Sequence, residues 1–230
     1  MGELIRPVEP RRLYQVIADR IRASIQDGQF PPLARLPAER ELAQMLGVSR
    51  PSLREALIAL EIDGSVEVRM GSGIYVSAAR VRPDGEERSL GDSPSEVMQA
   101  RVAIEGTVVV MACARMDAGS LAALRGLLGS MRDAIGAGNV PLDQDRSFHM
   151  ALAAQAGNSV LSRLVGELFD ARQGAILAAL SAKFESRTTW RVALAEHEAI
   201  LAALEAADPL RAEAAMRTHL QRSAERWLGN

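Results

Sequence analysis

Hydrophobic positions between residues 13 and 62 recur at helical spacing, with two interruptions. Leu13, Val16, Ile17, Ile21 and Ile25 predict one helix face, ended by Gly28 and then Pro31-Pro32. Pro37 opens a short second helix with Leu42, Ala43 and Leu46 inward. Gly47-Val48-Ser49 predicts a tight turn, with Ser49 as N-cap and Pro51 near the start of a third helix. That helix turns Leu53, Ala56, Leu57 and Leu60 inward and stops at Asp63-Gly64. Val66-Glu67-Val68-Arg69 and Ile74-Tyr75-Val76 then alternate as strands around Met70-Gly71-Ser72-Gly73, a hairpin. Helix, helix, turn, helix, hairpin is the order of a winged helix-turn-helix.

Residues 77–94 lose all periodicity and are rich in Ser, Gly, Pro and charge, which predicts a linker. Beyond it the pattern is helical throughout. Ser93-Pro94 begins a helix reaching about Met116, and Asp117 begins another carrying Leu121, Leu124, Leu127, Leu128 and Met131. Pro141 opens a third helix to Ala156, and Gly157-Asn158 breaks it. Asn158 caps a fourth, with Leu161, Leu164, Val165, Leu168 and Phe169 inward. Two more run from about Thr188 to Ala207 and from Pro209 to Leu228. The expected fold is mainly α: a winged helix-turn-helix over 1–78, a linker over 79–93, and an all-α bundle of six or seven helices over 94–230.

Composition narrows the function. The chain has 230 residues, a net charge of -2 and 48% hydrophobic content, which suits a folded protein of one large or two small domains. Residues 1–82 hold 12 arginines against 10 acids, and the remainder 15 basic residues against 19 acids, so any anionic polymer belongs with the first block. One cysteine excludes a disulfide framework and a cysteine-based zinc knuckle. The charged, proline-broken start MGELIRPVEPRR is unlike a signal peptide, and the longest apolar run, Gly106 to Ala114, falls short of the roughly 18 residues of a membrane span. A cytoplasmic chain with no membrane partner is expected.

With Leu53, Leu57 and Leu60 inward, the third helix presents Arg50, Ser52 and Arg54 outward at its start, where a recognition helix meets base edges. Arginine can bind guanine bidentately, and the amides at the helix start suit a phosphate. The plainer alternative is a solvated helix face. The chemistry of the second block lies in its histidines, His149, His197 and His219, the only three in the chain. Asp145 and His149, at i and i+4, project from one helix face. Imidazole and carboxylate suit a divalent metal, zinc first and nickel or manganese next, and a bundle core is a usual place for such a site. Spacing alone does not show that these residues converge, and structural histidines are the plainer alternative.

The stretch RLPAERELAQMLGVSRPSLREALIALEIDGSVEVRMGSGIYV resembles, without gaps, the winged helix-turn-helix of the GntR family of bacterial transcription regulators. The resemblance implies that Arg40 touches operator DNA, that Ser49, Arg50, Ser52 and Arg54 form the recognition set, and that Gly71 at the wing tip approaches the minor groove. Pro51 stands where relatives often carry threonine, and Met70 replaces a commoner polar wing residue. In the second block Asp145 to His149, Ala156-Gly157-Asn158, Glu196-His197 and His219-Leu220 look like the FCD domain of the FadR subfamily. That resemblance implies Asp145, His149, His197 and His219 as metal ligands and a small organic acid as effector; fatty-acyl-responsive members lack this set. Arg101 matches an arginine facing the family's cavity, with an i,i+4 pair to Glu105 as the alternative. Arg172, placed on the fourth helix, is the second candidate to clamp an anion, with a solvated arginine as its alternative. The DNA-binding block is most similar to regulators of hexuronate and related sugar-acid catabolism. The expectation is a homodimeric repressor, not an enzyme, that releases a palindromic operator when a hexuronate or aldonate binds at the metal. The alternatives are a metal-dependent hydrolase and a regulator that senses the metal itself.

Overall fold

The computed structural model describes residues 12–69, 71–78 and 91–228. The wing residue Met70 and most of the expected linker, 79–90, lie outside the described residues. The chain divides into two compact units, Met1–Arg88 and Ser89–Asn230.

In the first unit α1 (Leu13–Gln26), α2 (Glu39–Leu46) and α3 (Arg50–Ile62) precede an antiparallel hairpin of β1 (Val66–Arg69) and β2 (Gly73–Val76). The pairing runs from Val66 opposite Val76 to Arg69 opposite Gly73, so Val66 and Val76 meet on the buried side. Gly47 ends α2 in the left-handed region, φ 68°, which a side chain would strain. The Ser49 hydroxyl then accepts from the Ser52 amide and starts α3, with Pro51 in its first turn. Leu53, Ala56, Leu57 and Leu60 are buried, as their spacing predicts. The face of α1 is rotated from expectation: Tyr14, Ile17, Ala18, Ile21 and Ile25 are buried, whereas Leu13 and Val16 are 56% and 40% exposed. Tyr14 lies on the i, i+3, i+4, i+7 stripe with Ile17, Ala18 and Ile21, and Leu13 and Val16 flank it.

Among the described residues the second unit has seven α-helices: α4 (Pro94–Cys113), α5 (Ala118–Gly136), α6 (Leu142–Gln155), α7 (Ser159–Asp170), α8 (Ala175–Phe184), α9 (Arg187–Glu205) and α10 (Pro209–Leu228). Ser93, Asp117, Asn158 and Ser186 cap α4, α5, α7 and α9 with their side chains. The sequence pattern gives the first four helices and the last two; α8, between a 3-10 turn at Ala171–Gln173 and Glu185, is the addition. Helix α4 packs along α10 and touches α6 and α7, while α9 packs on α5 and α10. Val108 of α4, Ala153 and Ala156 of α6, and Val165 and Phe169 of α7 form one apolar cluster. This packing brings α4, α6, α9 and α10 around a common interior, where the polar side chains of the next section lie.

Candidate metal centre and recognition helix

Helix α6 supplies Asp145 and His149 one turn apart, α9 supplies His197, and α10 supplies His219. All four are buried, and one donor atom from each lies within 4.8 Å of every other. His197 Nε2 is 3.1 Å from Asp145 Oδ1 and 3.3 Å from His149 Nε2, and His149 Nε2 is 3.8 Å from Asp145 Oδ1.

The outer nitrogens decide what the inner atoms are. His149 Nδ1 meets Glu105 Oε2, His197 Nδ1 meets the Ala193 carbonyl at 2.7 Å, and His219 Nδ1 meets Glu196 Oε2 at 2.9 Å. A carboxylate and a carbonyl only accept, so each Nδ1 is the protonated nitrogen that donates. In the neutral rings each Nε2 is then a bare lone pair. Burial pushes the His149 and His219 pKa values below the ordinary value, which favours the neutral ring. Burial alone would raise the Asp145 carboxyl, but His197 and His149 in their protonated forms, together with Arg172, outweigh it and hold it well below its usual range. When the three rings are neutral, acceptor atoms face one another in a dry interior, an arrangement that a bound cation relieves. The donor set, three imidazoles and a carboxylate with every outer nitrogen held, fits a divalent metal.

Carboxylates and arginines ring these ligands. Glu105 of α4 takes Arg101 Nε at 2.6 Å on its other oxygen, so Arg101 is held in the i,i+4 pair that its spacing allows. Burial works against the Glu105 carboxylate, yet Arg101 and His149 bring its pKa down to about 2. Glu196 bridges His219 and Arg226, whose Nη1 lies 3.0 Å away. Arg172 differs from expectation. It sits in the 3-10 turn after α7 rather than on that helix, and only 12% of its side chain is exposed. Its guanidinium bridges Asp145 Oδ2 at 3.1 Å and Glu185 Oε1 at 2.7 Å. A solvated arginine is thereby excluded. Arg101, Arg172 and Arg226 line a cavity beside the ligands together with Asp145, Glu185 and His219.

Sequence reasoning missed Glu105 as the group behind His149, and Glu196 as the group behind His219. Glu196 is next to His197 in sequence, but it reaches across to His219 on α10. The signal for Glu105 is its setting: a charged pair inside α4 beside Val97, Met98, Val108 and Val109 has no polar face to occupy.

On the helix-turn-helix, Arg40 and Arg50 are exposed, as are Ser49 and the wing residue Gly71, whose φ is 70°. Ser49 is engaged as the α3 cap, and its hydroxyl is 2.8 Å from that of Ser52. Arg54 is drawn back along α3 by Glu39 of α2, with Nη2 2.5 Å from the carboxylate. Arg50 is therefore the arginine of the pair left at the exposed helix start. Asn158 accepts from the Val160 and Leu161 amides and is a helix cap. No helix among the described residues is long and apolar enough to cross a membrane.

Comparison with known proteins matches both units. Residues 13–76 match the bacterial regulatory proteins of the gntR family, and residues 96–222 match the FCD domain. The Exu regulon transcriptional regulator of Escherichia coli K12 is 33% identical over 226 residues, covering 93% of this chain and 83% of that protein. The Uxu operon regulator of Haemophilus influenzae is 30% identical over 212 residues, covering 91% and 80%. Among solved structures, Streptococcus agalactiae GntR aligns over 92% of this chain and 99% of its own, with 27% identity and a TM-score of 0.50. These relatives are transcription regulators and not enzymes, so the hydrolase alternative falls away. A DNA-binding unit of one family model joined to a C-terminal unit of another places this chain in the GntR family of bacterial transcription regulators, in the group that carries an FCD domain.

Proposed function

We propose that this regulator binds a palindromic operator as a homodimeric repressor and releases it when a hexuronate or aldonate binds beside a divalent metal, zinc first, in the FCD domain. The observation that carries the reading is the convergence of three imidazoles and the Asp145 carboxylate, each imidazole held at Nδ1 by an acceptor. Asp145, His149, His197 and His219 would hold the ion. A bound divalent ion supplies positive charge and coordination positions that a carboxylate can fill.

The chain's own groups suit an acid. Three arginines against two carboxylates line the cavity, an excess of one positive charge before any ion is added. Arg172 is shared between Asp145 and Glu185, and an incoming carboxylate would compete with Glu185 for the same fork. Arg101 is fixed at Nε by Glu105, which leaves the rest of its guanidinium for a ligand. The Exu and Uxu names of the relatives support the hexuronate class.

At the DNA end, Arg40, Ser49, Arg50, Ser52 and Arg54 with Gly71 of the wing form the proposed contact surface. Arg50 reads a base edge, and the α3 amides and Ser52 receive a phosphate. Release requires that the acid bind the DNA-free conformation more tightly than the DNA-bound one. Metal content and acid-induced thermal stabilisation test the ligand half together. Wild type should carry one divalent ion per chain and be stabilised by sugar acids, whereas His197→Ala should do neither and still bind operator. A His197→Ala protein stabilised as fully as wild type would refute the proposed site.

A further inference from the structure

Among the described residues two buried side-chain nitrogens lack a hydrogen-bond partner, Arg101 Nη2 and Trp190 Nε1. A buried donor left unmade costs about 1–3 kcal/mol, and folded proteins keep few of them. Both residues line the cavity beside the metal-ligand cluster. Both atoms can only donate. Arg101 is tied through Glu105 to His149 and so belongs to the ligand end of that cavity. Trp190 belongs elsewhere.

Trp190, Ala193 and His197 occupy positions i, i+3 and i+7 of α9 and therefore share one face. Seven residues at 1.5 Å of rise put Trp190 roughly 10 Å along the helix from His197. Between them stands Ala193, also on the cavity wall, with only a methyl group to fill the interval. A two-carbon acid held at the histidines cannot span that interval. A six-carbon chain can.

We infer that Trp190 is a length- and oxygen-sensing residue, whose indole N–H donates to an effector oxygen remote from the carboxylate end. The inference rests on the function proposed above and adds to it the feature that separates a sugar acid from a short hydroxy acid. The effector is then a polyhydroxylated acid of about six carbons, with an accepting oxygen at its far end. Short acids bind at the histidines and Arg101 alone and leave the indole unpartnered.

The test compares zinc-loaded full-length wild type with Trp190→Phe by calorimetric titration of D-glucuronate, D-galacturonate and D-gluconate, and of glycolate as the short acid. Phenylalanine keeps an aromatic ring on α9 and removes the N–H. The six-carbon acid that wild type binds should lose roughly 3- to 10-fold in affinity, the worth of one neutral hydrogen bond. Glycolate affinity and zinc content should be unchanged. An equal loss for both acid lengths, a loss of zinc, or no loss at all would overturn the role of Trp190 and leave the metal-site reading intact. A wild type that binds none of these acids would instead refute the proposed function and this inference with it. Ala193→Val is the second variant: its two added methyls should weaken the six-carbon acid more than glycolate, and the reverse order would contradict the path between the two ends.

Discussion

Replacing Glu105 by glutamine is the sharpest perturbation of the centre, because one carboxylate serves two groups. One oxygen receives Arg101 Nε at 2.6 Å and the other receives His149 Nδ1. Glutamine has one accepting oxygen and an amide that would face the second donor. Two losses follow, and they read out separately. Arg101, 2% exposed, becomes a buried cation without its counter-charge, a change that costs about 3–5 kcal/mol of stability. His149 loses the acceptor that fixes its tautomer, and outer-shell changes of this kind weaken metal binding roughly 10- to 100-fold, or about 1.4–2.7 kcal/mol. Urea unfolding of metal-free protein measures the first, and zinc titration against a competing chelator measures the second. The double variant Arg101→Met with Glu105→Leu removes both the stranded cation and every side-chain acceptor behind His149, so it should recover stability while zinc affinity stays low. Wild-type zinc affinity in Glu105→Gln, or its full return in the double variant, would show that Glu105 does not orient His149.

Arg50→Ala should weaken binding to a duplex selected from a random pool by about 1–3 kcal/mol, roughly 5- to 150-fold, with unfolding and zinc content unchanged; unaltered affinity in fluorescence anisotropy would refute its role. For metal-free protein, the folded pKa values of His149 and His219 lie below the unfolded value of about 6.5, so their contribution is present above that pH and is lost as pH falls below it. Glu105, at about 2 in the fold, adds a second loss below about pH 4.3, the unfolded value. Thermal unfolding in chelator should therefore show a midpoint that declines from neutral pH downward, and a rise between pH 7 and 5 would contradict the neutral-histidine centre.

Much of this architecture is legible in the sequence because its elements carry local punctuation. Ser49 and Asn158 are caps in the pattern and in the fold, and Ser93 and Asp117, helix starts in the pattern, prove to be caps as well. The four candidate ligands are legible for a different reason: histidine is scarce here, and a polar residue on an apolar face stands out. What escapes is whatever depends on a partner helix. Glu196 has the spacing of an ordinary α9 residue, and its role comes from α10 lying across it. Arg172 is singled out by the sequence but misplaced, because the helical period breaks at Ala171–Gln173 and it lies in the turn there, not on the α7 stripe. The α8 segment AILAALSAKF is apolar with little periodicity, so its boundary with α7 is marked only by Gly174. The buried face of α1 lies one position from the one the pattern predicts because Tyr14, amphipathic by type, is buried where Leu13 is not.

The central claim couples the buried cluster to DNA release, and operator affinity measured with and without a sugar acid tests it most directly. Fluorescence anisotropy on a selected duplex would use zinc-loaded wild type, chelator-treated wild type and His197→Ala. The account predicts that the acid weakens operator binding by zinc-loaded protein alone, and that the other two hold the operator whether or not the acid is present. Equal release from all three would contradict it, because the effector would then act without the ion and without the histidine that the fold places at its centre.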